Sequence, residues 1–205
     1  MSIMYRYPRL YNLILNIVHG KSLKKRFEII GKEIGENKKV FELGSGTSLI
    51  YPFLHKDCKY EGWDLNERFL NFCRRKGINV SSKDIFNVND YPENDVILIC
   101  DLLHHVIPDH EKLVLEALKK TKKLIISEPA RSFKPPKILK PVLTLFTYLV
   151  GDFDGINPPN KTLEWDYNED KLRNFFQNLG CSKTITVGWD MIAVFDLKST
   201  NSDKP

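Results

Sequence analysis

Between residues 39 and 127, short apolar runs alternate with helix-patterned segments, and this rhythm most restricts the folds open to the chain. Lys39 to Leu43, Tyr60 to Leu65, Ile78 to Ser82, Asp95 to Cys100 and Lys123 to Ser127 read as strands. Asp95 to Cys100 (DVILIC) is apolar almost throughout, as expected of a strand covered on both faces. The segments between carry helical marks. Asn66 reads as a cap with Glu67 in the first turn, and Gly77 ends that helix after Lys76. Asp109 to Lys120 places Leu113, Val114, Ala117 and Leu118 on one side, and Thr47 to His55 reads as a helix interrupted near Pro52. Strands alternating with helices give an α/β protein with a parallel sheet and helices on both faces.

The flanks extend this unit. Leu10, Leu13, Ile14, Ile17 and Val18, then Leu23, Phe27 and Ile30, predict helix over residues 9–34 with a break near His19-Gly20. Asn168 to Leu179 reads as a helix stopped by Gly180, followed by strands Thr184 to Val187 and Met191 to Leu197. The turn Gly188-Trp189-Asp190 is too short for a crossover, so the last strand should be antiparallel. A length of 205 residues suits one domain. It divides into an N-terminal helical cap (1–36), a core (37–129), an insertion (130–165), a helix and hairpin (166–197) and a polar tail (198–205).

The first strand runs into Gly44-Ser45-Gly46-Thr47. Glycines placed there let the chain turn tightly and let a ligand approach the backbone. The dinucleotide pattern GxGxxG fails at Leu49 and no Gly-Lys-Ser/Thr follows, which counts against a nicotinamide enzyme and excludes a P-loop. Glu42, just ahead of the first glycine, suits a cationic or amine-bearing ligand better than a pyrophosphate. Asp64 ends the second strand, downstream of Gly46 at the place where a carboxylate can accept both ribose hydroxyls. Asp84, with Ile85 beside it, follows the third strand, and Asp101 the fourth. Any one of these acids alone would read as a cap or turn residue. Together they gather at the sheet edge where open α/β sheets take ligands.

In these residues the chain resembles the class I S-adenosylmethionine-dependent methyltransferases, closely over about residues 38–129 and loosely over the last helix and hairpin. The resemblance implies a Rossmann-like sheet of seven strands in the order 3-2-1-4-5-7-6, strand 7 antiparallel, and S-adenosyl-L-methionine as cofactor. It assigns the methionine end of the cofactor to Glu42, Gly44, Ser45 and Gly46, the ribose to Asp64 with Leu65 beside it, the adenine to Asp84 and Ile85, and the lining of the transfer site to Asp101 and Leu102. One departure is Ser48, which stands where the family loop commonly has a third glycine. Where the acceptor must lose a proton, the candidate bases are His104 and His105, because histidine is the side chain most easily tuned near neutral pH. His104 is preferred, Asp-x-x-His being the commoner family spacing. The plainer reading is that both histidines cap the strand end or pack under the next helix. No metal is expected, since Asp152 and Asp154 read as turn residues.

The net charge of +5 is unevenly spread. Residues 1–26 carry six bases and no acid, and residues 131–140 carry four bases and no acid. Without those ten, acids outnumber bases 26 to 21. Both basic segments are also apolar: Leu10 to Val18 in the first, and Ile138 to Val150, whose single charge is Lys140, in the second. The second is too short to span a bilayer and reads as a buried helix, a lid or a membrane-interface segment. Tyr5, Tyr7, Tyr11, Phe146, Tyr148 and Trp165 are candidates for an acceptor pocket, packing being the commoner fate of aromatics. The expected acceptor is a small molecule with an apolar body and an anionic or lipid-like group, with peripheral membrane contact through the basic apolar segments. RNA methylation and a non-catalytic cofactor-binding role are the alternatives. Asn157-Pro158-Pro159-Asn160 lies far past Asp101 and lacks the aromatic of base-methylating loops, so it reads as a turn. Four scattered cysteines without a CxxC pair, and no secretory or spanning segment, make a cytoplasmic setting the default.

Overall fold

The computed structural model describes residues 2–130 and 165–197. Three helices open the chain: α1 (Ile3–Arg6), α2 (Pro8–His19) and α3 (Lys21–Ile34). Then follow β1 (Lys39–Leu43), β2 (Lys59–Asp64), α4 (Glu67–Arg74), β3 (Val80–Ser82), β4 (Val96–Cys100), α5 (His110–Leu118) and β5 (Lys123–Pro129). Helix α6 (Glu169–Asn178) and the hairpin β6 (Lys183–Val187) and β7 (Asp190–Asp196) close the described chain. The seven strands lie in the order β3-β2-β1-β4-β5-β7-β6, the order the resemblance implies. β1, β2, β3, β4 and β5 pair in parallel, and β7 runs antiparallel to both β5 and β6.

Strand alternation sorts the core onto the two faces of this sheet. From β4, Ile97 and Ile99 join Phe41 and Leu43 of β1 under Leu113 and Val114 of α5 and Phe176 of α6. Val96, Leu98 and Cys100 point the other way, with Val40, beneath Leu23, Phe27 and Ile30 of α3 and Leu70 of α4. Because β4 is covered on both sides, all five of its residues are buried. Burying a side chain of this size contributes about 1.5–3 kcal/mol, and that gain fixes the register of the centre of the sheet.

Local chemistry sets the element ends. Gly20, at φ 53°, breaks the N-terminal helical run between α2 and α3, where a side chain would resist the left-handed backbone. Asn66 caps α4 by accepting from the N–H groups of Arg68 and Phe69 at 3.1 and 3.4 Å, and Asn168 caps α6 by accepting from Lys171 N–H at 2.8 Å. One sequence expectation changes. Thr47 to His55 contains only one 3₁₀ turn, Tyr51–Phe53, since Pro52 has no N–H to donate and the chain turns back toward β2. The opening residues form the short helix α1, too brief for an apolar period to be read in the sequence. The apolar run Ile138 to Val150, the acids Asp152 and Asp154, the Asn157-Pro158-Pro159-Asn160 turn, Phe146 and Tyr148 lie outside the described residues.

Candidate active site

At the carboxyl ends of β1, β2 and β4 lies a cavity of about 290 Å³. The loop after β1 forms one wall. Ser45 N–H donates to the Trp63 carbonyl at 2.9 Å, tying the loop to β2. The Asp64 carboxylate completes the tie, its Oδ2 accepting from Gly46 N–H at 2.8 Å and its Oδ1 from Asn66 N–H at 2.7 Å. A carboxylate has several lone-pair directions, so the same group can take a ligand diol as well as these N–H donors. Gly44 sits at φ 65°, so the turn favours glycine, and a Cβ there would fall 2.6 Å from Leu102 Cδ1 and push that side chain aside.

Ser48 adopts φ 52°, a conformation that costs a non-glycine residue about 1–2 kcal/mol. Its hydroxyl is held in return. Tyr60 Oη reaches it at 3.0 Å and the Cys73 thiol donates to it at 3.5 Å. The Tyr60 hydroxyl donates its one proton to Glu42 Oε2 and can accept from Ser48, so the departure from the family loop is built into a buried network. Glu42 is only 3% exposed. Burial pushes its carboxyl up to about 8, the Tyr60 hydrogen bond pulls against that, and the charges of Asp64 and Asp101 add to the rise. Around neutral pH Glu42 is mostly protonated, which lets it sit beside two other acids.

Asp101, at the end of β4, is held differently. Arg26 of α3, fully buried, grips it with both guanidinium ends, Nη1 to Oδ1 at 2.9 Å and Nη2 to Oδ2 at 2.7 Å. Burial alone would raise the Asp101 carboxyl, but the guanidinium charge and its hydrogen bonds win and hold it below the ordinary carboxylate range. Burial would also lower Arg26, and Asp101 together with Asp190 more than offset it, so the guanidinium stays charged. Asp190, at the start of β7, lies 3.3 Å from Arg26 Nη1 and 3.2 Å from His19 Nδ1.

The 3₁₀ turn Leu103–His105 separates the two histidines. His105 lines the cavity, and Tyr5 meets it edge-on at 6.5 Å. His104 is turned toward β5. Its Nδ1 lies 2.7 Å from Glu128 Oε2, while Glu128 Oε1 accepts from the N–H groups of Leu102 and Leu103, both at 2.7 Å. With Oε1 taken by two N–H donors, Oε2 takes the Nδ1 proton, which sets the ring's tautomer and orientation. The two imidazoles are 4.3 Å apart, so His104 is the ring against which His105 rests.

The cap closes the opposite wall with Tyr5, Tyr11 and Leu15. Tyr5 stacks on Phe69 at 5.6 Å, Asn66 Nδ2 donates to the Tyr5 carbonyl at 3.3 Å, and Thr47 Oγ1 donates to Asn12 Oδ1 at 2.6 Å. The N-terminal helices thus touch both the glycine loop and α4. Tyr7 instead faces solvent, and Trp165 is buried with its indole N–H on the Pro129 carbonyl at 3.0 Å.

Every cofactor contact expected from the sequence lines this one cavity: Glu42, Gly44, Ser45 and Gly46 from the loop, Asp64 and Leu65 from the end of β2, and Asp84, Ile85, Asp101 and Leu102 beyond them. Of the two histidines, His105 lies on its wall and His104 lies behind it. Three participants escape the sequence reading: Arg26, Tyr60 and Glu128. The fit to a cationic, amine-bearing cofactor rests on the donor set. A buried carboxyl, a buried Ser45 hydroxyl without a hydrogen-bond partner, and open loop backbone meet at the position expected for the amino-acid end.

The fold has many relatives among solved structures. A SAM-dependent methyltransferase from Aquifex aeolicus superposes with a TM-score of 0.54 over 84% of this chain and 89% of its own, at 19% identity. Magnesium protoporphyrin IX methyltransferase (ChlM) from Synechocystis, solved with bound SAH, gives 0.58 over 88% of this chain and 84% of its own, at 14% identity. The 16S rRNA methylase RmtB gives 0.51 over 88% of this chain and 64% of its own, at 14% identity. The fold is therefore that of the class I methyltransferases. No curated protein matches the sequence significantly. The model of one family, described as methionine biosynthesis protein MetW, matches residues 24–136, which span α3 through β5 and so most of the cavity wall. That match takes in more than half of the chain, which belongs to the MetW family.

Proposed function

We propose that the protein is an S-adenosyl-L-methionine-dependent methyltransferase whose acceptor is a small, largely apolar or lipid-like molecule. One observation carries this reading: a single cavity joins the Gly44–Gly46 turn, the four acids at the strand ends and an aromatic wall from the cap. When bound, the cofactor supplies an activated methyl group on a sulfonium that leaves as a neutral thioether, so the protein need not protonate a leaving group. The chain's own residues then have three tasks. Asp64 holds the ribose diol while keeping its clasp on Gly46 and Asn66. Glu42, Ser45 and the loop backbone hold the amino-acid end. Tyr5, Tyr11 and Leu15 exclude water and fix the acceptor's approach, the part of the barrier that alignment can remove.

Where the acceptor is an acidic oxygen or carbon, His105 takes its proton at the cavity wall, and Glu128 acting through His104 keeps the histidine turn in place. The aromatic wall from the cap favours a small acceptor over RNA. Calorimetry with S-adenosyl-L-methionine, followed by transfer of labelled methyl to an extract split into lipid, RNA, protein and small-molecule fractions, tests the proposal. Binding with label in the lipid or small-molecule fraction is expected. Label in RNA would replace the acceptor class, binding without label would make the protein a non-catalytic binder, and absence of binding would remove the reading altogether.

A further inference from the structure

We infer that α1 and α2 form a docking surface for an anionic lipid bilayer. This inference is independent of the methyl-transfer reading, because it rests on the outer face of the cap alone.

Among the described residues, eleven large apolar side chains are exposed, and five of them fall between Ile3 and Val18: Ile3, Tyr7, Leu13, Ile17 and Val18. Ile17 is 71% exposed and Leu13 56%, and no residue of α2 is fully buried. Arg9, Leu13 and Ile17 stand at i, i+4 and i+8, one stripe of the helix, while Tyr11 and Leu15 turn inward to the cavity. Bases outnumber acids on the charged flank, where among the described residues the one acid within reach of a base is Glu28, 3.5 Å from Lys24 Nζ. Arg6, Arg9, Lys21, Lys24 and Lys25 are all exposed, and the first acid in the chain is Glu28. No described helix is long and apolar enough to cross a membrane. An exposed apolar stripe flanked by an excess of bases is the pattern of a helix lying in the interface of a negatively charged leaflet.

The same observations decide against other occupants. A second copy meeting this face symmetrically would set five bases against five bases. A nucleic acid would satisfy the bases but offers nothing to Leu13 and Ile17. A bilayer satisfies both, and because the inner face of α2 walls the cavity, docking would hold the cavity's cap against the lipid.

The test is sedimentation of the full chain with sucrose-loaded phosphatidylglycerol vesicles, with phosphatidylcholine vesicles as the neutral arm. The expected result is co-sedimentation with the anionic vesicles alone, released at about 0.5 M salt, where screening has shortened the reach of surface charge to about 4 Å. Leu13→Ser with Ile17→Ser, both exposed and so tolerated by the fold, should lower partitioning about tenfold or more. Lys21→Gln, Lys24→Gln and Lys25→Gln together should lower it on the order of 100-fold. Circular dichroism and an unchanged melting temperature establish that each variant is folded. Failure of the wild-type chain to bind anionic vesicles overturns the inference. So does binding that the Leu13 and Ile17 variant leaves intact, or a dimer that this variant dissociates in the absence of lipid binding.

Discussion

Glu42→Gln isolates the buried carboxyl at the head of the glycine loop. Burial raises this group from 4.5 to about 8, so between those values the folded protein holds one proton more than the unfolded chain. The sign follows directly. Stability attached to the protonated carboxyl is fully present below pH 4.5, declines as pH rises, and is lost by about pH 8. The slope is about 1.4 kcal/mol per pH unit, and the whole loss is on the order of 5 kcal/mol. Glutamine has nearly the same shape, still accepts the Tyr60 hydrogen bond, and does not titrate. In urea unfolding at intervals from pH 5 to 9, the stability difference between wild type and Glu42→Gln should therefore shift steadily against the wild type until about pH 8 and then level off. Ligand binding should report the same proton. Wild-type affinity for S-adenosyl-L-methionine should rise toward pH 8, with proton release seen as a buffer-dependent calorimetric heat, while the variant stays flat. Stability curves that run parallel across the whole range, within about 0.5 kcal/mol, would refute the buried-proton argument.

The other predictions concern the groups around this one. Asp64→Ala removes the acceptor of two loop N–H groups and should weaken cofactor binding by about 1.5–3 kcal/mol while lowering stability by about 1–3 kcal/mol; calorimetry and urea unfolding read the two effects separately. Arg26→Met leaves Asp101 and Asp190 without their shared cation and should cost about 3–5 kcal/mol in urea unfolding, part of it restored by adding Asp190→Asn; a loss under about 1 kcal/mol would reject the latch. His105→Gln should slow methyl transfer to an acceptor that must lose a proton by about 10²–10⁴-fold with cofactor affinity nearly unchanged, and parallel falls in rate and affinity would assign His105 to binding instead.

The central sheet is legible in the sequence because its signals are local. Lys39–Leu43 can be read to the residue, Gly20 marks the break between α2 and α3, and the short Gly188-Trp189-Asp190 turn requires an antiparallel end. That the expected cofactor contacts line one cavity also follows from position, since residues just past the ends of parallel strands share one edge. What stays hidden is made by long-range pairing. Arg26 reads as one more surface base in a basic segment, yet its partner is 75 residues away and its burial depends on how α3 packs on the sheet. Glu128 reads as the boundary of a strand, and nothing near it in sequence announces the Leu102, Leu103 and His104 groups it accepts from, 24 to 26 residues back. The preference for His104 over His105 rests on spacing after the strand, but a 3₁₀ turn decides which ring faces the cavity, and turn geometry of that kind leaves no apolar period.

Arg26 also explains how the cap and the sheet become one unit. Asp101 holds φ 52°, an unfavourable backbone conformation for a residue with a side chain, directly on the cavity wall. Nothing in the Cys100-Asp101-Leu102 sequence compensates for that strain locally. The compensation comes from α3, whose guanidinium holds the carboxylate by two parallel hydrogen bonds, and from Asp190, which shares the same cation at the head of β7. A buried ion pair is weak evidence for stability in itself, because removing charges from water costs several kcal/mol per ion. Its use here is geometric. One guanidinium joins the cap, the middle of the sheet and the closing hairpin, and the residue it orients stands on the cavity wall. The wall of the cavity at Asp101 is therefore set by docking of the first helices as much as by the strand that carries it.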